Sequence, residues 1–167
     1  MGRPAAPARN ADRTARAARM RRGLLRAAGA LPLLALVRPA AATPEEMRSA
    51  IAQWTGGKTP NDGKVTFDIA KLIDNGNAVP VTIRVDSPMT AQDHVTGIAL
   101  FNERNPETDI VRFTLTARSG KAEVATRIRL ATSQKLVAVA RMSDGGYWQQ
   151  SVDVIVALAA CIEGEPM

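Results

Sequence analysis

The sequence predicts an all-β domain: an immunoglobulin-like β-sandwich with a short N-terminal helix and a C-terminal arm that bears a cysteine. Two observations carry this. From Val79 onward apolar and polar residues alternate in short runs, and turn residues such as Asn105-Pro106 and Asp144-Gly145-Gly146 separate those runs. Alternation buries one face of each strand and wets the other, which suits two packed antiparallel sheets. The second observation is a single cysteine, Cys161, placed beyond the last predicted strand. No internal disulfide can staple the sheets, so the apolar core must suffice.

The elements follow in order. In "TPEEMRSAIAQWTGG", Thr43 is placed as an N-cap and Glu46 three residues on completes a capping-box pattern. Met47, Ile51 and Trp54 share one face, and Gly56-Gly57 stop the helix, which is expected on the edge of the domain. "KTPNDGK" reads as a turn, and "VTFDIAKLIDNGNAVP" as an extended or mixed segment broken at Asn75-Gly76. "VPVTIRVDS", "HVTGIALFNERNP" and "IVRFTLTA" then read as strands, the last with Val111, Phe113 and Leu115 on one side. "KAEVATRIRLA" sets Ala122, Val124, Ile128 and Leu130 against Glu123, Arg127 and Arg129, the arginines on an exposed face. "QKLVAVARM" leads through a turn into "YWQQSVDVIVALAA". In that final strand Val152, Val154, Val156, Leu158 and Ala160 share one parity, while Asp153, Ile155, Ala157, Ala159 and Cys161 share the other. If the first set faces the core, Cys161 points away from it, on a face apolar enough to cover a partner.

Charge excludes one class of function. The whole chain carries +6, but nine of its 22 basic residues and one of its 16 acidic residues lie in the first 42 positions. Without them 13 basic residues face 15 acidic ones, a net −2, so no basic field attracts nucleic acid. Residues 1–42 have the layout of an export signal: a basic stretch, the pair Arg21-Arg22 before "GLLRAAGALPLLALV", then small residues that place cleavage between Ala42 and Thr43. Adjacent arginines before that run fit a twin-arginine signal and a periplasmic product. An ordinary secretory signal, or a start at Met20, is the other reading. The apolar run is too short and too broken by Pro32 to span a membrane, so the expected mature form has no membrane span. The expected organisation is a signal over 1–42, one sandwich domain over 43–158 and a carrier arm over 159–167.

Few residues offer chemistry. His94, the sole histidine, stands beside Asp93 in a turn; one histidine with no cysteine or second histidine near it is a poor metal site, so no metal is expected. "SDGGYW" lacks the lysine and helix of a phosphate loop and reads as a hairpin turn. Sequence does not decide whether Tyr147 and Trp148 belong to the core or to a partner surface. Cys161 remains: a nucleophilic sulfur in a terminal, reachable position with no competing thiol.

"NGNAVPVTIRVDSPMT" (Asn75 to Thr90) and "FNERNPETDIVRFTLTARSGKAEVATRIRLATSQKLVAVARMSDGGYW" (Phe101 to Trp148) resemble SoxY, the sulfur carrier of periplasmic thiosulfate oxidation. The resemblance implies a non-enzymatic carrier without a cofactor, a covalent sulfur adduct on Cys161, and a heterodimer with a second all-β subunit, SoxZ. SoxY proper ends in Gly-Gly-Cys-Gly-Gly. Here Ala159 and Ala160 precede Cys161, and Ile162 and Glu163 follow it. That tail is similar to the SoxY-related AACIE arm proteins, a branch associated with quinoprotein dehydrogenases of methylotrophs. Alanines and a β-branched isoleucine restrict the backbone where glycines would free it. Glu163 puts a negative charge near the sulfur, which raises the thiol pKa and disfavours an anionic adduct. The alternative function is a non-catalytic assembly subunit of a periplasmic dehydrogenase, with an incidental cysteine.

Overall fold

The structure, a computed structural model, describes Gly2 and residues 42–158; the other residues lie outside it. The alternating runs form nine strands: β1 Asn61–Asp62, β2 Val65–Asp68, β3 Leu72–Asn75, β4 Val79–Val85, β5 Val95–Asn102, β6 Asp109–Thr114, β7 Glu123–Ile128, β8 Gln134–Met142 and β9 Tyr147–Leu158. One sheet has the order β1-β9-β8-β5-β6, with β3 also paired to β9; the second has the order β2-β4-β7. The protein is therefore mostly β, built on two sheets.

Two details differ from the sequence reading. "KTPNDGK" is not wholly a turn, since Asn61 and Asp62 pair with Trp148 and Gln149. The mixed segment splits into β2, which joins the smaller sheet, and β3, which joins β9. Both β1 and β3 run parallel to β9, so the sheets are not purely antiparallel. Alternation reports which face of a strand is buried and carries no information on strand direction.

The inner faces of the two sheets meet in a core that includes Ile83, Val95, Ile98, Leu100, Leu130 and Leu136. β4 and β7 alternate as expected, buried inward and open outward. β5 and β8 do not: they are buried on nearly every residue. The helix explains this. α1 (Pro44–Thr55) is closed at its start by a reciprocal capping box, Glu46 N–H to Thr43 Oγ1 at 3.2 Å and Thr43 N–H to Glu46 Oε2 at 2.9 Å. It ends at Gly56, left-handed at φ 64°, whose amide bonds back to the last turn. Its Met47, Ile51 and Trp54 pack on Ala99, Phe101, Val137 and Val139. The helix thus lies on the middle of a sheet face and not, as expected, on the edge, because these outward positions of β5 and β8 are themselves apolar. Trp54 meets Phe101 and Tyr147 edge to face, with ring centroids 6.2 and 5.5 Å apart. A Cβ at Gly97 would stand in ordinary contact, 3.5 Å from Trp54 Cζ2 and 3.4 Å from the Phe113 carbonyl oxygen, so the indole packs directly over this position of β5.

The β5–β6 loop is held by buried amides. Asn102 Oδ1 accepts from the backbone of Arg104 and Asn105, and Asn102 Nδ2 donates to the Glu107 carbonyl. Gln134 Oε1 accepts from Arg104, and Gln134 Nε2 donates to Asn105 Oδ1. Asn105 Nδ2 in turn donates to the carbonyl of Arg129, just past β7.

Two stability changes follow. Trp54→Ala should lower the unfolding free energy by about 3 kcal/mol, less than for a fully buried indole because Trp54 is only partly covered. Asn102→Leu, which strands the Asn105 amide and the Glu107 carbonyl while Arg104 keeps its bond to Gln134, should lower it by about 2–3 kcal/mol. Urea denaturation followed by tryptophan fluorescence measures both; an unchanged midpoint for either would contradict the packing described.

Candidate functional site

The twelve residues of β9 organise the end of the molecule from which Cys161 departs. The turn before it is a hairpin, as the sequence indicates: Met142 N–H donates to the Gly146 carbonyl at 2.9 Å, and Gly146 N–H donates to Asp144 Oδ1 at 2.7 Å. Gly145 sits at φ 79°, where a side chain would be strained. From there β9 pairs with β8 from Tyr147 to Val154. Its opposite edge takes β1 near the start and β3 near the end, where Leu72, Ile73 and Asn75 stand against Ile155, Val156 and Leu158.

The two parities of β9 behave as the sequence indicates. Val152, Val154 and Val156 pack against the core, while Asp153, Ile155 and Ala157 are exposed. Leu158 shares the inward parity yet is 66% exposed. The strand is nevertheless bonded to its last described residue. Ile155 N–H donates to the Lys71 carbonyl at 2.8 Å, Val156 N–H to Ser133 Oγ at 2.9 Å, and the Leu158 carbonyl accepts from Gly76 N–H at 2.8 Å. The Gly76 carbonyl then accepts from Leu130 N–H at 2.9 Å, tying the end of β9 to the chain leaving β7. Ala159, Ala160, Cys161, Ile162 and Glu163 lie outside the described residues, but they start from this fixed root.

Beside the root lies an exposed apolar pair. Leu72 and Ile155 are register partners and are 67% and 62% exposed. With Ala157 they form an outward apolar strip at the arm's base, and Leu158 is exposed on the opposite face at the strand's end. Sequence reasoning found its β9 half from parity. It missed Leu72, because the adjacent pair Leu72-Ile73 between Lys71 and Asp74 does not show which of the two faces outward until its pairing is known.

The other singled-out residues fall elsewhere. Arg21 and Arg22 lie outside the described residues. Ala42 is 4% exposed and its amide donates to the Asn105 carbonyl at 2.8 Å, while Thr43 caps α1, so the expected cleavage bond abuts the folded domain. His94 anchors a loop: its amide donates to Ser143 Oγ at 3.1 Å and its carbonyl accepts from Ser143 N–H at 2.8 Å, while its Nδ1 is buried with no partner. Among the described residues no three of His, Cys, Asp and Glu gather as metal ligands would. Tyr147 packs with Trp54; Trp148 leans on the main core beneath the Lys64 ammonium, 5.1 Å from the ring centroid.

The family described as "Sulfur oxidation protein SoxY" matches residues 51–161, from within α1 through β9 to Cys161 itself. The chain belongs to the SoxY family. The solved sulfur carrier protein SoxY from Chlorobium limicola f thiosulfatophilum is 26% identical, with a TM-score of 0.55 over 65% of this chain and 89% of that one. A superoxide reductase (neelaredoxin) from Ignicoccus hospitalis is 14% identical, with a TM-score of 0.51 over 70% of this chain and 95% of that one; it shares the fold alone. No curated protein sequence matches significantly. Among the described residues no helix is long and apolar enough to cross a membrane.

The capping box at the domain's start gives a further test. Thr43→Ala should lower the stability of the exported form by about 1 kcal/mol, seen as a drop of a few degrees in the thermal midpoint. No shift would mean that the cap is absent from the exported chain.

Proposed function

We propose that this SoxY-family protein is a periplasmic carrier that holds a sulfur-containing group covalently on Cys161 and presents it to partner enzymes. The observation that carries this reading is the placement of the only cysteine: three residues beyond a strand bonded to its last described residue, at the end of the stretch that matches the family. A thiol carried this way can reach another protein's active site while its domain stays folded.

The chemistry asked of the chain is small. A Cys161 thiolate joined to the outer sulfur of thiosulfate gives a thiosulfonate disulfide, Cys–S–S–SO3⁻. Forming that S–S bond releases two electrons, which a partner redox enzyme takes up, so the carrier itself catalyses nothing. The tail Ala159-Ala160-Cys161-Ile162-Glu163 supports membership of the AACIE arm branch, where the arm's stiffness and the charge of Glu163 select another cargo or another docking channel than a glycine-flanked arm would. The domain, residues 43–158, is an immunoglobulin-like sandwich reached by export on a twin-arginine signal over 1–42, with 159–167 as the arm.

The outward strip of Leu72, Ile155 and Ala157 supports a partner of the SoxZ type, an all-β subunit covering the base of the arm. The same strip would serve an assembly subunit of a quinoprotein dehydrogenase, and the cysteine distinguishes the two. A strain carrying Cys161→Ser should lose the sulfur oxidation or dehydrogenase-dependent growth as completely as a deletion strain. Wild-type growth would leave the assembly role and remove the carrier. Separately, Leu72→Asp with Ile155→Asp should leave the melting temperature within a few degrees, since both side chains are exposed, yet weaken heterodimer formation at least tenfold in co-purification with the SoxZ-type subunit.

A further inference from the structure

The outer face of the smaller sheet carries an unused pair of cations close to the root of the arm. Along β7 and just past it, Glu123, Ala125, Arg127 and Arg129 point outward. At the far end of this face Arg84 engages Glu123 at 3.1 Å and Asp68 at 3.9 Å, so those three charges answer one another. Among the described residues neither Arg127 nor Arg129 has a carboxylate partner. Beside Arg127 an open groove of about 550 Å³ runs between β4 and β7, floored by Thr82 and Ala125 and walled by Pro80. Its floor is shallow because a threonine and an alanine face each other there in register.

The tail supplies what this face lacks. Glu163 and Glu165 are its only acidic side chains and stand two residues apart, as Arg127 and Arg129 do. In extended chain such pairs lie on one side with matching spacing of about 7 Å. The reach is sufficient. Leu158 is joined through Gly76 to Leu130 by two main-chain hydrogen bonds, about 10 Å in strand spacings. Glu163 and Glu165, five and seven residues beyond Leu158, extend to roughly 16 and 23 Å.

We propose that the arm has a docked position in its own domain: residues 159–165 lie over the outer face of the β4–β7 groove, with Glu163 and Glu165 on Arg129 and Arg127. Docking holds Cys161 against the sheet between uses, and a partner that competes for the arginines or the glutamates releases it. This goes beyond the carrier reading and does not depend on it, since the docking residues surround the sulfur and do not touch its cargo.

The sole cysteine allows a direct test on the exported full-length chain. A nitroxide attached to Cys161 should show a slow-motion component at low salt that shrinks in 0.5 M NaCl, where screening acts within a few ångströms. In Arg127→Glu with Arg129→Glu the docked-to-free ratio should fall roughly tenfold. Adding Glu163→Arg and Glu165→Arg to that variant should restore the slow component. Both arginines are exposed, so the variant should fold; Arg127→Gln with Arg129→Gln replaces it if thermal melting shows otherwise. A fully mobile label in the wild-type chain, or a slow component untouched by the arginine changes, overturns the docking and leaves the carrier reading standing. A slow component that grows with protein concentration assigns the face to a second copy and also overturns it.

Discussion

The fold depends on strand β9 having both of its edges occupied. β8 takes one side, and β1 and β3 take the other in parallel. A twelve-residue strand paired on one side only would leave a long open edge, a template for pairing with other chains. The two short parallel strands close that edge with residues that come from the far end of the domain's sequence. They also bond the strand to its last described residue, Leu158. For the proposed carrier role this matters, because a thiol on a tail is delivered reproducibly only if the point from which the tail departs is fixed.

Helix α1 answers a second constraint. A sheet that buries only its inner face would expose Ala99, Phe101, Val137 and Val139 to water. The helix covers them with Met47, Ile51 and Trp54, leaving β5 and β8 covered on both sides. The large sheet thereby has a dry interior in the absence of a disulfide. Among the described residues the smaller sheet has no such cover: its outer face is polar and charged, with Arg84 set between Asp68 and Glu123 and with Arg127 further along. The two sheets therefore differ in their outer faces, one covered by helix α1 and the other polar and charged.

Much of this was legible in the sequence, and the parts that were not share a cause. The capping box at Thr43 and Glu46, the hairpin at Asp144 to Gly146, and the parity of Val152, Val154 and Val156 are local patterns, and each is found where the residues indicate. β1 and β3 were not legible, because a two-residue and a four-residue strand show no period and exist only through pairing with β9, some eighty residues away. The helix's seat on the sheet face was missed for a similar reason: an apolar stripe on a helix tells that it packs, and not on what. Asn102 and Gln134 carry no sequence signal of burial at all; only the loop they hold reveals why amides sit inside. The candidate thiol was found by elimination, being the one cysteine of the chain, and the likeness of the surrounding sequence to SoxY gave it a role.

The central claim is that Cys161 carries cargo, and intact mass of the protein purified from its native periplasm, before and after reduction, tests it most directly. The account predicts a population heavier than the bare exported chain, with the added mass lost on reduction and mapping to the peptide that contains Cys161. A bare thiol under every growth condition would contradict it.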